Sequence, residues 1–131
     1  MKKLLTEISE EITKSYEEGV TIPEAEKLAT KLLSAMMFIA EDLKRTSLDS
    51  RMKKSGVKAV RAAIYLDEVA KHDKKPSDSM LDNIVNVSSI VQAEQDKFDQ
   101  AEVEYEYLEN YMNIFREAHI HFRSISRGKF E

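Results

Sequence analysis

Residues 84–122 read IVNVSSIVQAEQDKFDQAEVEYEYLENYMNIFREAHIHF, and apolar side chains recur along them at alternating steps of three and four residues. Such a repeat is typical of a long helix whose apolar seam packs along another helix. Two polar residues, Glu94 and His119, stand in the seam, and polar seam residues favour a fixed register over a ligand-binding role. The seam consists of Ile84, Val87, Val91, Glu94, Phe98, Ala101, Tyr105, Leu108, Met112, Phe115, His119 and Phe122.

The region between Pro76 and Gly128 contains no glycine or proline, so the sequence predicts one long helix over residues 77–126. At 1.5 Å per residue, a helix of ~50 residues is about 75 Å long. A compact domain of this size has a radius of gyration of only about 14 Å, so such a helix must bend, or pack along a second helix and another subunit. We therefore expect an all-α fold. It would be an elongated helical hairpin or bundle, oligomeric, with a long coiled-coil-like C-terminal helix.

The remaining sequence predicts shorter helices, and we expect the whole chain to form a single helical domain. Thr21 and Glu24 have the spacing of a capping box, which marks the start of a second helix after Gly19. Residues 46–50 and Gly56 weaken helix formation, so we expect a second helix over about 22–46 and a separate third helix over about 48–71. Along the domain 1–131, the expected parts are an N-terminal helix in 1–19, central helices in 20–71, the long helix in 77–126 and a tail in 127–131.

The composition excludes several classes of protein. The chain of 131 residues has no cysteine, which excludes a disulfide framework, a thiolate zinc site and a cysteine nucleophile. It has three glycines and two prolines, few for a sheet with tight turns, and 34% of its residues are charged, which suits amphipathic helices. No apolar run approaches 18 residues, so no membrane span is expected. We expect a soluble cytoplasmic protein.

The sequence offers no constellation of catalytic or metal-binding residues. It has no glycine-rich phosphate loop and no nucleophile elbow. His119 and His121 are two residues apart, so on a helix they point about 200° from each other and cannot share a metal ion. No Glu-x-x-His pair exists, which argues against a carboxylate-bridged metal bundle. We therefore expect a protein that is not an enzyme, with no metal and no cofactor.

The charges are arranged in blocks, and one block is strongly basic. Residues 44–61 hold seven basic side chains and one acidic side chain. Such a segment can bind phosphates, and it would then bind nucleic acid without sequence preference. The candidate nucleic-acid-binding residues are Lys44, Arg45, Arg51, Lys53, Lys54, Lys58 and Arg61.

A structural role for this basic segment is equally open. If the third helix and the long helix form an antiparallel hairpin around Lys74 and Lys75, residue i lies opposite about residue 149 − i. The basic segment then lies beside residues 88–105, and complementary charge could explain both blocks without a ligand. The acidic side chains on that side are Glu94, Asp96, Asp99, Glu102 and Glu104.

A wide apolar face in the second half of the long helix predicts a subunit interface. A second apolar stripe that includes Tyr107, Tyr111 and Ile114 joins the seam there, and a wide stripe contacts more than one neighbour. The alternative is that the first two helices fold back and cover this face within one chain. The residues expected at the oligomer interface are Tyr105, Leu108, Tyr111, Met112, Phe115, His119 and Phe122.

Several stretches resemble the UvsY-like family of phage recombination mediators, and the likeness runs over roughly residues 20–128. They are TIPEAEKLATKLLSAMM, the basic run leading into VKAVRAAIYLDE, a polar loop, the long helix and a closing SISRG. The family has a basic-x-basic motif tied to single-strand binding. Arg61 matches its first basic position, Ala63 stands at the second, and Lys58 lies one turn back.

This resemblance implies a non-catalytic recombination mediator. Members of the family form ring-like homo-oligomers, bind single-stranded DNA and help a RecA-like recombinase to displace single-strand-binding protein. The alternative is a helical protein-binding adaptor without nucleic-acid binding, such as a phage scaffold, an assembly chaperone or an inhibitor of a host protein. The acidic side chains of residues 94–109 motivate this second hypothesis.

Overall fold

The computed structural model describes residues 2–128, and over these residues it contains four α-helices and no strand. This confirms the all-α fold class. Met1 and residues 129–131, the last part of the predicted tail, lie outside the described residues. The helices are α1 at Lys2–Glu18, α2 at Ile22–Ala70, α3 at Asp78–Val87 and α4 at Ser89–Ser126.

The junction between α1 and α2 follows the local signals in the sequence. Gly19 has a positive φ of 78°, and its N–H donates to the carbonyl oxygen of Ser15 at 2.9 Å, which closes the end of α1. The hydroxyl of Thr21 accepts a hydrogen bond from the Glu24 N–H at 3.3 Å and donates to the Glu24 carboxylate at 2.9 Å. The predicted N-cap of the second helix is therefore confirmed.

Helix α2 is continuous, and the predicted separation into a second and a third helix is wrong. One helix runs from Ile22 to Ala70, through residues 46–50 and through Gly56. Thr46 is buried and Gly56 is half-buried, so the stretch packs against other residues instead of ending the helix. One interior glycine disfavours a helix by only about 1 kcal/mol relative to alanine, which tertiary packing outweighs.

Gly56 gives the first testable prediction. A Cβ added at this position would lie 3.4 Å from Oε2 of Glu94, which is the end of a flexible side chain that can move. Alanine loses less backbone entropy on folding, so we expect Gly56→Ala to raise the free energy of unfolding by about 0.5–1 kcal/mol in urea denaturation. Gly19→Ala is the control, and it should destabilise because Gly19 has a positive φ. A loss of stability in Gly56→Ala would contradict this account.

The predicted long helix is interrupted at Ser88, so the expectation of one helix over 77–126 is corrected to α3 and α4. Ser88 is extended, with φ −63° and ψ 126°, and its N–H donates to the Val85 carbonyl. Its hydroxyl accepts from the Val91 N–H at 3.5 Å. A serine that bonds backbone groups on both sides can end one helix and begin the next without glycine or proline. The N-cap of α3 is Ser77, which accepts from the Met80 N–H.

Contacts divide the chain into two compact units. The first comprises residues 2–43 and 107–128, and the second is Lys44–Glu106. Helices α2 and α4 each contribute to both units. The first unit has an apolar core in which α1, α2 and α4 bury side chains together. The core consists of Leu5, Ile8, Ile12, Ala25, Leu28, Ala29, Leu32, Ala35, Ile39, Leu108, Phe115, Ala118 and Phe122.

The second unit is the predicted antiparallel hairpin, closed by the loop of residues 71–77. Arg61 is bonded to Asn86 across it, and Gly56 lies beside Glu94. Both contacts fall within two residues of the predicted register. Its buried apolar residues are Val57, Leu81, Val85 and Val91.

Candidate nucleic-acid interface

The structure brings five of the seven candidate cations to one side of α2. At 100° per residue, their positions fall within about 100° of the helix circumference and extend along about 26 Å of its axis. Four of them are exposed, and Arg61 is half-buried. We call this set the basic band, and it consists of Lys44, Arg51, Lys54, Lys58 and Arg61.

The other two candidates lie elsewhere on the helix. Lys53 is half-buried, about 130° around α2 from the middle of the basic band. Arg45 is about 150° from it. Asp49 is the one acidic residue between positions 44 and 61, and it lies about 170° around the helix from the middle of the basic band. The basic band is therefore not interrupted by a carboxylate of its own segment.

Within the described residues, most of the seven candidate cations form no ion pair across the hairpin. Within residues 2–128, Lys44, Arg51, Lys53, Lys54 and Lys58 have no ion pair and no side-chain hydrogen bond. Arg61 crosses the hairpin, but its Nη2 donates to the amide oxygen of Asn86 at 2.9 Å.

Two of the carboxylates that the pairing hypothesis needed have partners on their own helix. Glu94 accepts from Lys97 at 3.1 Å, and Asp99 accepts from Gln95 at 2.9 Å. Both partners lie on α4, three or four residues away. Within the part of the chain that the structure describes, neither Glu94 nor Asp99 is paired with a cation of the basic band.

The aromatic residue nearest to the basic band in the helical lattice is Tyr65. It follows Lys58 by seven residues and therefore lies in the same column of α2. Its ring is half-buried, and its hydroxyl donates to the Asp78 carboxylate at 3.5 Å across the hairpin. The basic band is therefore followed along α2 by the Tyr65 ring, which a hydrogen bond across the hairpin holds in place.

The predicted interface residues have another environment than expected. Leu108, Phe115 and Phe122 are buried in the core of the first unit, covered by α1 and α2 of the same chain. This is the alternative in which the first helices fold back over the wide stripe. These three side chains are at most 3% exposed, so they offer almost no surface to a second copy. Tyr105, Tyr111, Met112 and His119 are half-buried.

His119 gives a prediction about pH. Burial, and then the positive charge of Arg123, lower the pKa of His119 below its usual value of 6.5. The unfolded chain therefore takes up this proton at a higher pH than the folded chain. We expect the free energy of unfolding to fall as the pH drops from about 7.5 toward the lowered pKa, and His119→Gln to flatten that part of the profile. Chemical denaturation at several pH values measures both profiles, and identical profiles would contradict the prediction.

Sequence reasoning missed a second apolar stripe on α2. Leu48 and Met52 lie at the start of the predicted third helix, and their side chains are 59% and 65% exposed. Leu48 and the buried Val57 are nine residues apart, which places them about 180° from each other on the helix. Leu66 continues the exposed side and is 67% exposed. The sequence does contain a signal for this exposed stripe. Positions 48, 52, 55, 59, 62 and 66 follow one another at alternating steps of four and three residues, which places them on one side of a helix.

Residues 2–128 contain neither a membrane-spanning helix nor a cluster of metal ligands. No helix there combines the length and the apolar character needed to cross a membrane. Histidine, aspartate and glutamate side chains in the same stretch do not gather in a group of three that could hold a metal ion.

Comparison of the chain with protein-family models, with curated proteins and with solved structures finds no match.

Proposed function

We propose that this protein is a non-catalytic recombination mediator, which binds single-stranded DNA through the basic band and promotes loading of a RecA-like recombinase. Its protein partners would be that recombinase and the single-strand-binding protein that the recombinase displaces. It would act as a homo-oligomer in the cytoplasm, or in that of the host cell if it is phage-encoded. The resemblance to the UvsY-like family supports the biological role.

One observation carries the nucleic-acid part of this proposal. Within residues 2–128, four exposed cations that have no ion pair or side-chain hydrogen bond lie, with Arg61, along one side of helix α2. Such a line follows a phosphate backbone and reads no base, so binding should be independent of sequence. A single strand would contact about five cations per chain, which corresponds to a log–log salt slope of about −3.5.

Oligonucleotide binding tests the proposal directly. The full-length protein is titrated against a fluorescent single strand at low salt and then at increasing salt, with double-stranded DNA of the same length in parallel. We expect binding at low salt that weakens with the slope given above and does not depend on base composition. Folded protein that fails to bind the single strand at low salt would end the proposal.

Assembly into oligomers would make a weak site useful. When several copies are joined, each further contact with one strand becomes intramolecular, and avidity can exceed the affinity of one copy by about 10²–10⁴. Sedimentation of the free protein gives the number of copies. A strand-exchange reaction with a RecA-like recombinase on DNA coated with single-strand-binding protein then tests the mediator role. If the protein binds DNA but does not accelerate recombinase loading, it is a DNA-binding protein and not a mediator.

A second candidate function is a protein-binding adaptor, and the exposed stripe of Leu48, Met52 and Leu66 favours it. Large apolar side chains in a row along one helix suit recognition of another helix. A stoichiometric protein partner, together with indifference to DNA at low salt, would favour the adaptor over the mediator.

A further inference from the structure

The exposed apolar side of α2 in the second unit has the spacing of a coiled-coil seam. Its positions alternate in steps of four and three residues, which is the heptad pattern of a helix that packs along another helix. None of its apolar or serine side chains is buried against α3 or α4, because the hairpin uses the opposite side of α2, where Val57 lies. We call this side the outer stripe, and it consists of Leu48, Met52, Ser55, Ala59, Ala62 and Leu66.

The outer stripe has large residues at its ends and small residues in its middle. Leu48 and Met52 stand at one end and Leu66 at the other, with alanine and serine between them. Small residues let two helices approach closely, so the middle can take a large side chain from a partner. From Leu48 to Leu66 the stripe is about 27 Å long, which is about five turns of a partner helix.

Charge is distributed unequally along the two edges of the outer stripe. Lys44, Arg51 and Lys58 recur every seven residues and therefore form one column beside it. All three are exposed and have no ion pair within the described residues. On the opposite edge, the positions of the corresponding column are Asp49, Gly56, Ala63 and Ala70. A partner helix would thus meet three cations in the column on one side, and only one charged residue, Asp49, in the corresponding column on the other.

This distribution disfavours a second copy of α2 as the partner. In an antiparallel pair, the two cationic columns would face each other and repel. In a parallel pair, each column would face the opposite edge of the other copy. There, Lys44 would meet Asp49, but Arg51 would meet Gly56 and Lys58 would meet Ala63. Self-association along the stripe would therefore leave most of these charges unmatched.

We propose that the outer stripe binds an amphipathic helix of another protein, one whose apolar seam is bordered by aspartate and glutamate on the side that meets Lys44, Arg51 and Lys58. The acidic border supplies the counter-charges that a second copy lacks, and it sets the orientation of the bound helix. This inference goes beyond the proposed function, since such a helix can bind whether or not nucleic acid does. The three cations belong to the basic band as well, so the acidic helix and a DNA strand would compete.

Two synthetic peptides test the proposal. Both are 21-residue helices with the same leucine seam; one carries glutamate at the border positions, and the other carries lysine. Fluorescence anisotropy measures their binding to the full-length protein at low and moderate salt. We expect the acidic peptide to bind with a Kd in the micromolar range and the basic peptide to bind at least about tenfold more weakly.

Matched variants locate the bound helix. Leu48→Asn, Met52→Asn and Leu66→Asn together should weaken the acidic peptide at least about tenfold. Because these side chains are exposed, the variant should keep its helical content and its melting temperature. The control is Val87→Asn, Ile90→Asn and Val103→Asn, which removes three exposed apolar residues of α3 and α4. This control should leave peptide binding unchanged.

Three outcomes would overturn the inference. The first is equal binding of the two peptides, and the second is an equal loss in the two variants. The third is an oligomer that dissociates in the outer-stripe variant while the acidic peptide fails to bind wild type, which would assign the stripe to a second copy. Oligonucleotide binding separates this inference from the proposed function, because the outer-stripe variant keeps every cation. Peptide binding without oligonucleotide binding would end the mediator proposal and leave this one standing.

Discussion

Replacing Arg51, Lys54 and Lys58 by glutamine is expected to weaken single-strand binding by about two to three orders of magnitude at about 50 mM salt. The three substitutions remove three of the five phosphate contacts of the basic band, so the log–log salt slope should fall from about −3.5 to about −1.4 per chain. Arg61 is left in place because it is bonded to Asn86, and its removal would also disturb the hairpin. Titration of a fluorescent oligonucleotide over a range of salt concentrations measures both quantities.

The control carries the same change in charge at another place. Lys14, Lys27 and Lys74 are exposed lysines outside the basic band, and their replacement by glutamine should lower affinity only slightly. An equal loss in the two variants would mean that binding depends on total charge and not on the band. Thermal stability provides a second readout, because band cations without ion pairs do not stabilise the fold, so their neutralisation should leave the melting temperature unchanged or raise it slightly. A clear fall in stability would instead support the pairing hypothesis. The test of that hypothesis is reversal of Lys54, Lys58 and Arg61 to glutamate, which should then destabilise the protein, with charge reversal at Glu94 and Asp99 restoring stability.

Phe115→Ala is expected to lower the free energy of unfolding by about 3–5 kcal/mol, which is the usual loss for a buried phenylalanine. Phe115 has 0% exposure and lies in the core of the first unit, so the substitution leaves a cavity that α1 and α2 cannot fill without moving. A loss of this size is a large fraction of the total stability of most domains, about 5–15 kcal/mol. Urea denaturation followed by circular dichroism measures it.

Phe38→Ala is the matched control for this prediction. It makes the same chemical change on α2, but Phe38 is 62% exposed. We expect its effect on stability to be within about 0.5 kcal/mol. If Phe115→Ala were as mild as Phe38→Ala, the seam of α4 would not be covered within one chain, and the wide stripe would again be a candidate subunit interface.

The sequence predicted helices well where a local signal controls the structure. The capping box at Thr21, the turn at Gly19 and the loop before Ser77 are all present as expected, because each depends on neighbouring residues. It failed where packing or side-chain capping overrides propensity. Gly56 does not end α2, because one interior glycine costs only about 1 kcal/mol and packing within the hairpin outweighs it. Ser88 ends α3 although serine is no strong helix breaker, because its backbone and hydroxyl bond groups on both sides.

The candidate site could be predicted as a set of residues but not as a surface. Charge counting found the basic segment, and helical geometry alone already places five cations on one side. Whether those cations were paired depended on the rotamers of Glu94 and Asp99, which no sequence pattern shows. The outer stripe was hidden because both sides of α2 carry apolar residues, so Leu48 and Val57 read as one continuous helical pattern. The burial of Phe115 within one chain could not be predicted either, because it depends on whether α1 packs over it in the tertiary structure.

The crowding of like charges on α2 has a consequence for the free protein. Lys54, Lys58 and Arg61 stand three and four residues apart, and each such pair of equal charges destabilises a helix by about 0.2–0.5 kcal/mol. In the ligand-free protein, these positive side chains therefore repel one another and destabilise this segment of α2. Added salt screens this repulsion, so moderate ionic strength should raise the melting temperature of the protein. The same salt should weaken its binding to DNA. A simple polyanion such as heparin should have the same thermal effect at far lower concentration.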